Sequence, residues 1–171
     1  MTQAATGAPH VHLLAGLNGA GKTTYAKHLQ VVLPAVRFTQ DEWLLRLHPL
    51  PFDDPRQGEL TRAYRELAWS VAVQALAAGT DVVLDWNSWS RVQRAEWSGR
   101  AANLGHGTVL HYLRVPVETA IARAEQRTAE DEAWSYPLDA AAVRHMTTIF
   151  EVPQADEGFE LRIVSGWRPD R

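Results

Sequence analysis

The chain contains no cysteine, which excludes disulfides and thiolate metal sites. Lysine is almost as scarce: of 17 basic residues only Lys22 and Lys27 are lysines, and the other 15 are arginines. No apolar run approaches a membrane span, and the opening MTQAATGAPH lacks the basic start and apolar stretch of a secretory signal. A cytoplasmic protein with no membrane partner is expected. Positive charge is also in deficit, at a net −3, which argues against a broad nucleic-acid surface while leaving room for a local basic channel.

What remains is ordinary globular material. The 171 residues are 46% hydrophobic and 22% charged, enough for one domain over 1–171 with a full core. The small, polar residues 1–9 are expected to fray.

One segment stands apart. Residues 16–23 read Gly-Leu-Asn-Gly-Ala-Gly-Lys-Thr and follow the apolar run Val11, Leu13, Leu14, Ala15. This is G-x-x-x-x-G-K-[ST], a phosphate-binding loop between a strand and a helix. Its glycines allow backbone conformations closed to other residues, so that successive N–H groups can face a phosphate. Leu17, Asn18 and Ala20 complete the loop, and Thr24 follows it on the helix whose free amides attract an anion. Lys22 adds a mobile positive charge for the outer phosphates, and the Thr23 hydroxyl is a hard oxygen ligand for Mg²⁺. With lysine so scarce, a chance match is improbable. The expected ligand is a nucleoside triphosphate, ATP, with Mg²⁺.

The flanking pattern alternates short apolar runs with helical periodicity. Strands are expected at 10–15, 36–38, 82–84, 108–115 and 159–164. Helices are expected at 22–33, around Trp43, Leu44 and Leu47, through Leu60, Tyr64, Leu67, Val71, Ala75 and Ala78, then at 90–104, from Pro116 through Arg127, and at 138–150. Strands alternating with helices predict an α/β fold: a parallel sheet covered on both faces.

In such sheets ligands bind outside the carboxyl ends of the strands. The phosphate loop, Asp41 and Asp85 all fall at such ends. One carboxylate can serve the metal, and the other can accept a proton from an attacking hydroxyl. Asp41 is the candidate base, with a helix cap as its structural alternative. Asp85, closing an apolar strand, is the candidate on the metal side. Arg123 and Arg127 share one helix face and lead into a polar stretch, so a lid over about 124–140 can carry guanidinium charge toward the transferring phosphoryl. Trp43, Trp86 and Trp89 are candidates for an aromatic acceptor wall, with core packing as the alternative. Asn87 and Arg91 are further acceptor-binding candidates, and Arg91 and Arg94 can turn toward phosphate or acceptor. The seven histidines show no shared metal-ligand spacing and are read as structural.

The GLNGAGKT loop, the TQDEW segment, the VVLDWNSWSR segment and the arginine-bearing lid resemble the small P-loop kinases of the AAA-type ATP-binding group. That group includes chloramphenicol phosphotransferase, the zeta toxins and polynucleotide 5′-kinases. The resemblance spans about residues 10–165 and implies a three-layer α/β/α P-loop NTPase fold with a five-stranded parallel sheet and a small helical lid. It also implies ATP–Mg²⁺ phosphoryl transfer to a hydroxyl, with Asp41 in the position of the base. The Asp85–Asn87 pair followed by Arg91 or Arg94 is similar to the D-x-N segment of polynucleotide kinases and a tRNA-directed kinase group. A small-molecule acceptor is the first reading, because the acidic balance disfavours a polynucleotide. A polynucleotide or tRNA kinase and a nucleotide-gated switch with a protein partner are the alternatives. The sequence leaves the oligomeric state open.

Overall fold

A computed structural model describes residues 7–130 and 135–168 of the chain. Most of the stretch expected to fray, and residues 131–134 of the expected lid, lie outside the described residues. Five strands, β1 His10–Ala15, β2 Val36–Thr39, β3 Val82–Asp85, β4 Gly107–Arg114 and β5 Glu160–Ser165, form one parallel sheet in the order β2-β3-β1-β4-β5. Among the described residues six helices connect them: α1 Lys22–Val32, α2 Gln40–Leu47, α3 Gln57–Ala77, α4 Arg91–Ala102, α5 Val117–Ala129 and α6 Ala140–Ile149. Among the described residues no helix is long and apolar enough to cross a membrane.

The side-chain alternation of β1 explains the three layers. Val11, Leu13 and Ala15 face a core shared with Phe38, Leu44, Tyr64, Trp86 and Trp97, under α2, α3 and α4. Leu14 faces the other way with Val83 and Leu113, under Ala26 and Leu29 of α1. Burial of β1 and β3 on both sides is why they read as unbroken apolar runs. A third cluster, Ala120, Ile121 and Ala124 with Val143, joins α5 to α6 beside the sheet.

The sequence places several boundaries within a residue or two, with three differences. In α3 the buried stripe is Tyr64, Ala68, Ala72 and Leu76, whereas Leu67 and Val71 face solvent. Alanines at a four-residue spacing let the helix lie close on the sheet, and the larger Leu67 and Val71 would hold it off. Asp41 is no helix cap, because α2 starts after Thr39 and Asp41 sits exposed in its first turn. Pro116 stands at the N-cap of α5, one position before its first turn.

The α1 side of the sheet also holds a buried polar chain. His12 Nε2 lies 3.1 Å from Asp81 Oδ2, His12 Nδ1 lies 3.0 Å from His111 Nε2, and His111 Nδ1 lies 3.3 Å from the Tyr25 hydroxyl. Burial pulls His111 down to about 3, with His12 and Arg162 adding to the shift. Burial also lowers His12, against the pull of Asp81 and with help from His10 and Arg162. Both imidazoles are therefore neutral in the fold, while the unfolded chain binds protons below about pH 6.5. Stability is fully present above that pH and falls as pH drops toward the folded values. The loss approaches ~1.4 kcal/mol per pH unit for each histidine still neutral in the fold. Thermal melts between pH 7.5 and 4 should show it, and His111→Asn should flatten the slope.

Candidate functional site

Two glycines of the phosphate loop are dictated by close approach. A Cβ on Gly19, at φ 82°, would stand 2.0 Å from the Ala120 carbonyl oxygen, and one on Gly16 would stand 2.7 Å from that of Leu113. The loop is thereby wedged between β4 and the first turn of α5, with a turn closed by Ala20 N–H donating to Leu17 O at 3.1 Å. Gly21 precedes α1 in left-handed conformation and no side chain caps that helix. The first-turn amides, Thr24 among them, are left for an anion.

Lys22 folds back over the loop, its Nζ donating to Gly16 O at 2.9 Å and Leu17 O at 3.0 Å. Burial pulls this ammonium down to about 8, opposed by Asp85 and Asp41 and assisted by Arg127. Asp85, Asp41 and Arg127 of α5 thus all act on the lysine. On α5, Arg123 Nη1 reaches within 3.9 Å of the position a Gly21 Cβ would take.

The two carboxylates occupy different environments. Asp85 is buried at the end of β3 and accepts from the Thr23 hydroxyl at 3.3 Å and from Arg37 Nη1 at 2.7 Å. Its carboxyl is shifted upward by burial, with Asp41 adding, against the pull of Arg37 and Lys22. Arg37 also donates to Glu42 at 3.2 Å. Asp41 is exposed at the end of β2 and accepts from Gln40 Nε2 at 3.0 Å. Gln40 in turn accepts from Arg65 Nε at 2.6 Å. The structure therefore brings Lys22, Thr23, Asp41 and Asp85 to one edge of the sheet, with Arg123 and Arg127 beside the loop.

A hydroxyl and a carboxylate at 3.3 Å suit a hard divalent cation such as Mg²⁺. Among the described residues no group of three or more acidic or histidine side chains gathers as a metal site. Two protein oxygens plus nucleotide phosphates is the mode in which Mg²⁺ is usually held.

The acceptor-wall residues divide. Trp43 is 40% exposed beside Asp41, edge-on to Phe38 and Tyr64. Trp86 is core, packed on Trp97 at 4.9 Å, and Trp89 is half-buried with its carbonyl bonded to Glu151 N–H. Asn87 is half-buried on the turn after β3. Arg91 pairs with Asp156 at 3.2 Å and Arg94 with Glu157 at 2.7 Å, so both are engaged by the segment before β5. The reason is a capping box: Ser90 accepts from Gln93 N–H and Gln93 reaches back, which starts α4 so that it presents both arginines there. Sequence reasoning missed Arg37, Gln40, Tyr64 and Arg65. An arginine inside the short strand β2 was the one available signal, because a charge there needs a partner.

A phosphate loop on β1, acidic residues closing the neighbouring strands and a five-stranded parallel sheet define the class of small P-loop kinases. The chain belongs to the AAA domain family, whose model matches residues 11–153. No curated protein sequence gives a significant match. Among solved structures, a Chloroflexus aurantiacus protein assigned as a kinase superposes with TM-score 0.71 at 16% identity, covering 94% of this chain and 87% of its own. Kti12 of Chaetomium thermophilum, in complex with ADP-AlF3, gives 0.68 at 18%, covering 92% and 89%. A gluconokinase of Sinorhizobium meliloti gives 0.60 at 14%, covering 95% and 85%.

Proposed function

We propose that the protein is an ATP-dependent kinase that phosphorylates a hydroxyl of a small molecule. The observation that carries this reading is the placement of Asp41. It is an exposed carboxylate on the same edge as Lys22 and Thr23 and, among the described residues, has no ion pair like the one that joins Asp85 to Arg37.

The loop amides and Lys22 would hold the triphosphate, and Thr23 with Asp85 would hold a Mg²⁺ ion, which would supply charge neutralisation on the phosphates. Asp41 orients the acceptor hydroxyl and takes its proton as the oxygen attacks the γ-phosphorus. The bond from that phosphorus to the bridging oxygen breaks, and ADP leaves with the electron pair. Arg123 and Arg127 stabilise charge on the transferring group from α5, the helix that leads into the lid. Thr128 clasps the base of that lid, its hydroxyl bonded to both the N–H and the carbonyl of Leu138. A cytoplasmic setting, where ATP is abundant, fits this reading.

The test is an ATP-dependent phosphorylation screen over metabolites and antibiotics, followed by Asp41→Asn on any acceptor found. The variant should bind ATP normally and lose transfer by about 10²–10⁴-fold. Full transfer by Asp41→Asn would remove Asp41 from the base role. A partner-stimulated ATPase with no acceptor would instead favour a nucleotide-gated switch.

A further inference from the structure

Most half-buried or buried arginines in this fold have a carboxylate. Arg37 pairs with Asp85 and Glu42, Arg94 with Glu157, and Arg100 with Glu66 and Glu96. Arg65 does not. It is half-buried on α3, its Nε donates to the neutral Gln40 amide at 2.6 Å, and its guanidinium carbon lies 5.7 Å from the centroid of the Trp86 ring. Neither Nη has a hydrogen-bond or ion-pair partner among the described residues. A cation this far out of water normally finds an anion. Burial lowers the pKa of Arg65, only partly offset by Asp41 and Glu96, as expected of a charge left short of compensation.

Its neighbour Tyr64 is the second observation. Tyr64 is 7% exposed, and its hydroxyl is enclosed with no hydrogen-bond partner among the described residues. Burial shifts that hydroxyl upward, with Asp85 and Asp41 adding to the shift against Arg37 and Arg65. The indole N–H groups of Trp86 and Trp97 in the same core are likewise without a partner among the described residues, and a buried polar group left unpaired costs about 1–3 kcal/mol. Gln40 ties the arrangement together, since its amide nitrogen holds Asp41 and its oxygen holds Arg65. The base and the unpaired cation are thus fixed to one buried side chain.

Resting on the kinase reading above, we infer that Arg65, backed by Trp86 and tied through Gln40 to Asp41, is the acceptor-recognition residue, and that the acceptor is a small hydroxylated anion carrying a carboxylate or phosphate. The planar guanidinium still has its outer N–H groups to offer, the geometry suited to a forked contact with either anion. One such cation suits a small anion, whereas tracking a polynucleotide backbone takes a series of them.

The test compares ATP-dependent transfer to two matched pools. One holds sugar acids and sugar phosphates, and the other the corresponding neutral sugars and polyols, with a 5′-hydroxyl oligonucleotide run beside them. Turnover is expected in the charged pool alone. The separate acids and phosphates then show which anion is read. Arg65→Gln should raise KM for that acceptor by about 10–100-fold and leave KM for ATP within about twofold. Arg65→Lys should recover part of the loss. Nucleotide affinity and circular dichroism of each variant report whether it folds. Equal turnover of neutral acceptors, transfer to the oligonucleotide, or an Arg65→Gln effect on kcat alone would overturn the inference while leaving the kinase reading intact. ATP binding with no transfer to any pool would overturn both.

Discussion

Lys22→Ala should abolish phosphoryl transfer, with a fall on the order of 10³-fold, while the protein keeps its melting behaviour. The structure motivates both halves of that expectation. Lys22 Nζ is held by two loop carbonyls and has no ion pair among the described residues. Its charge, however, sits where Asp85, Asp41 and Arg127 all act on it, and its pKa of about 8 leaves the ammonium poised at neutral pH. A bound triphosphate would favour the charged form and draw Nζ off the carbonyls. Transfer rates and ATP affinity measured on the same preparation check the prediction. A variant that still transfers at more than about a tenth of the normal rate would mean that the loop amides alone support the donor phosphates.

The largest stability effect is expected at Arg94, far from any sequence motif. Arg94 is fully buried and spends its donors on Glu157 at 2.7 and 2.8 Å and on the carbonyls of Ser88, Trp89 and Glu151. It pins the turn after β3 to the segment before β5. Burial alone would raise the Glu157 carboxyl, but the Arg94 hydrogen bonds and the Gln154 N–H outweigh it and hold the group below its ordinary range. Arg94→Met leaves that carboxylate buried without its cation and should cost about 3–5 kcal/mol in urea denaturation. Arg94→Met combined with Glu157→Leu should recover much of the loss, because the penalty belongs to the stranded charge. If the double variant is no more stable than the single one, the three carbonyl contacts carry the cost instead.

These two residues mark the limit of reading along the chain. Lys22 was legible because its chemistry is local: loop, lysine and hydroxyl lie within eight consecutive residues. Arg94 was read as a possible phosphate or acceptor ligand, and its partner 63 positions away was invisible. For Trp86 the sequence leaves core packing and an acceptor wall both open, since position after a strand does not say which side of the sheet a ring enters, and the structure puts the ring in the core. In α3 a wide apolar stripe allowed two faces, and close packing on the sheet selected the alanine one.

The amino-acid sequence by itself determined the strand and helix order, the phosphate loop and the two acidic strand ends. Periodicity, backbone stereochemistry and short motifs act within a few residues of chain. The tertiary structure alone decided that Asp85 is locked to Arg37 and Thr23 while Asp41 stays open. It also decided that Gln40 joins Asp41 to Arg65, and that Arg65 keeps no carboxylate of its own. Those pairings depend on which side chains the sheet order brings within about 3 Å, the reach of a hydrogen bond. Adjacency along the chain does not encode that distance.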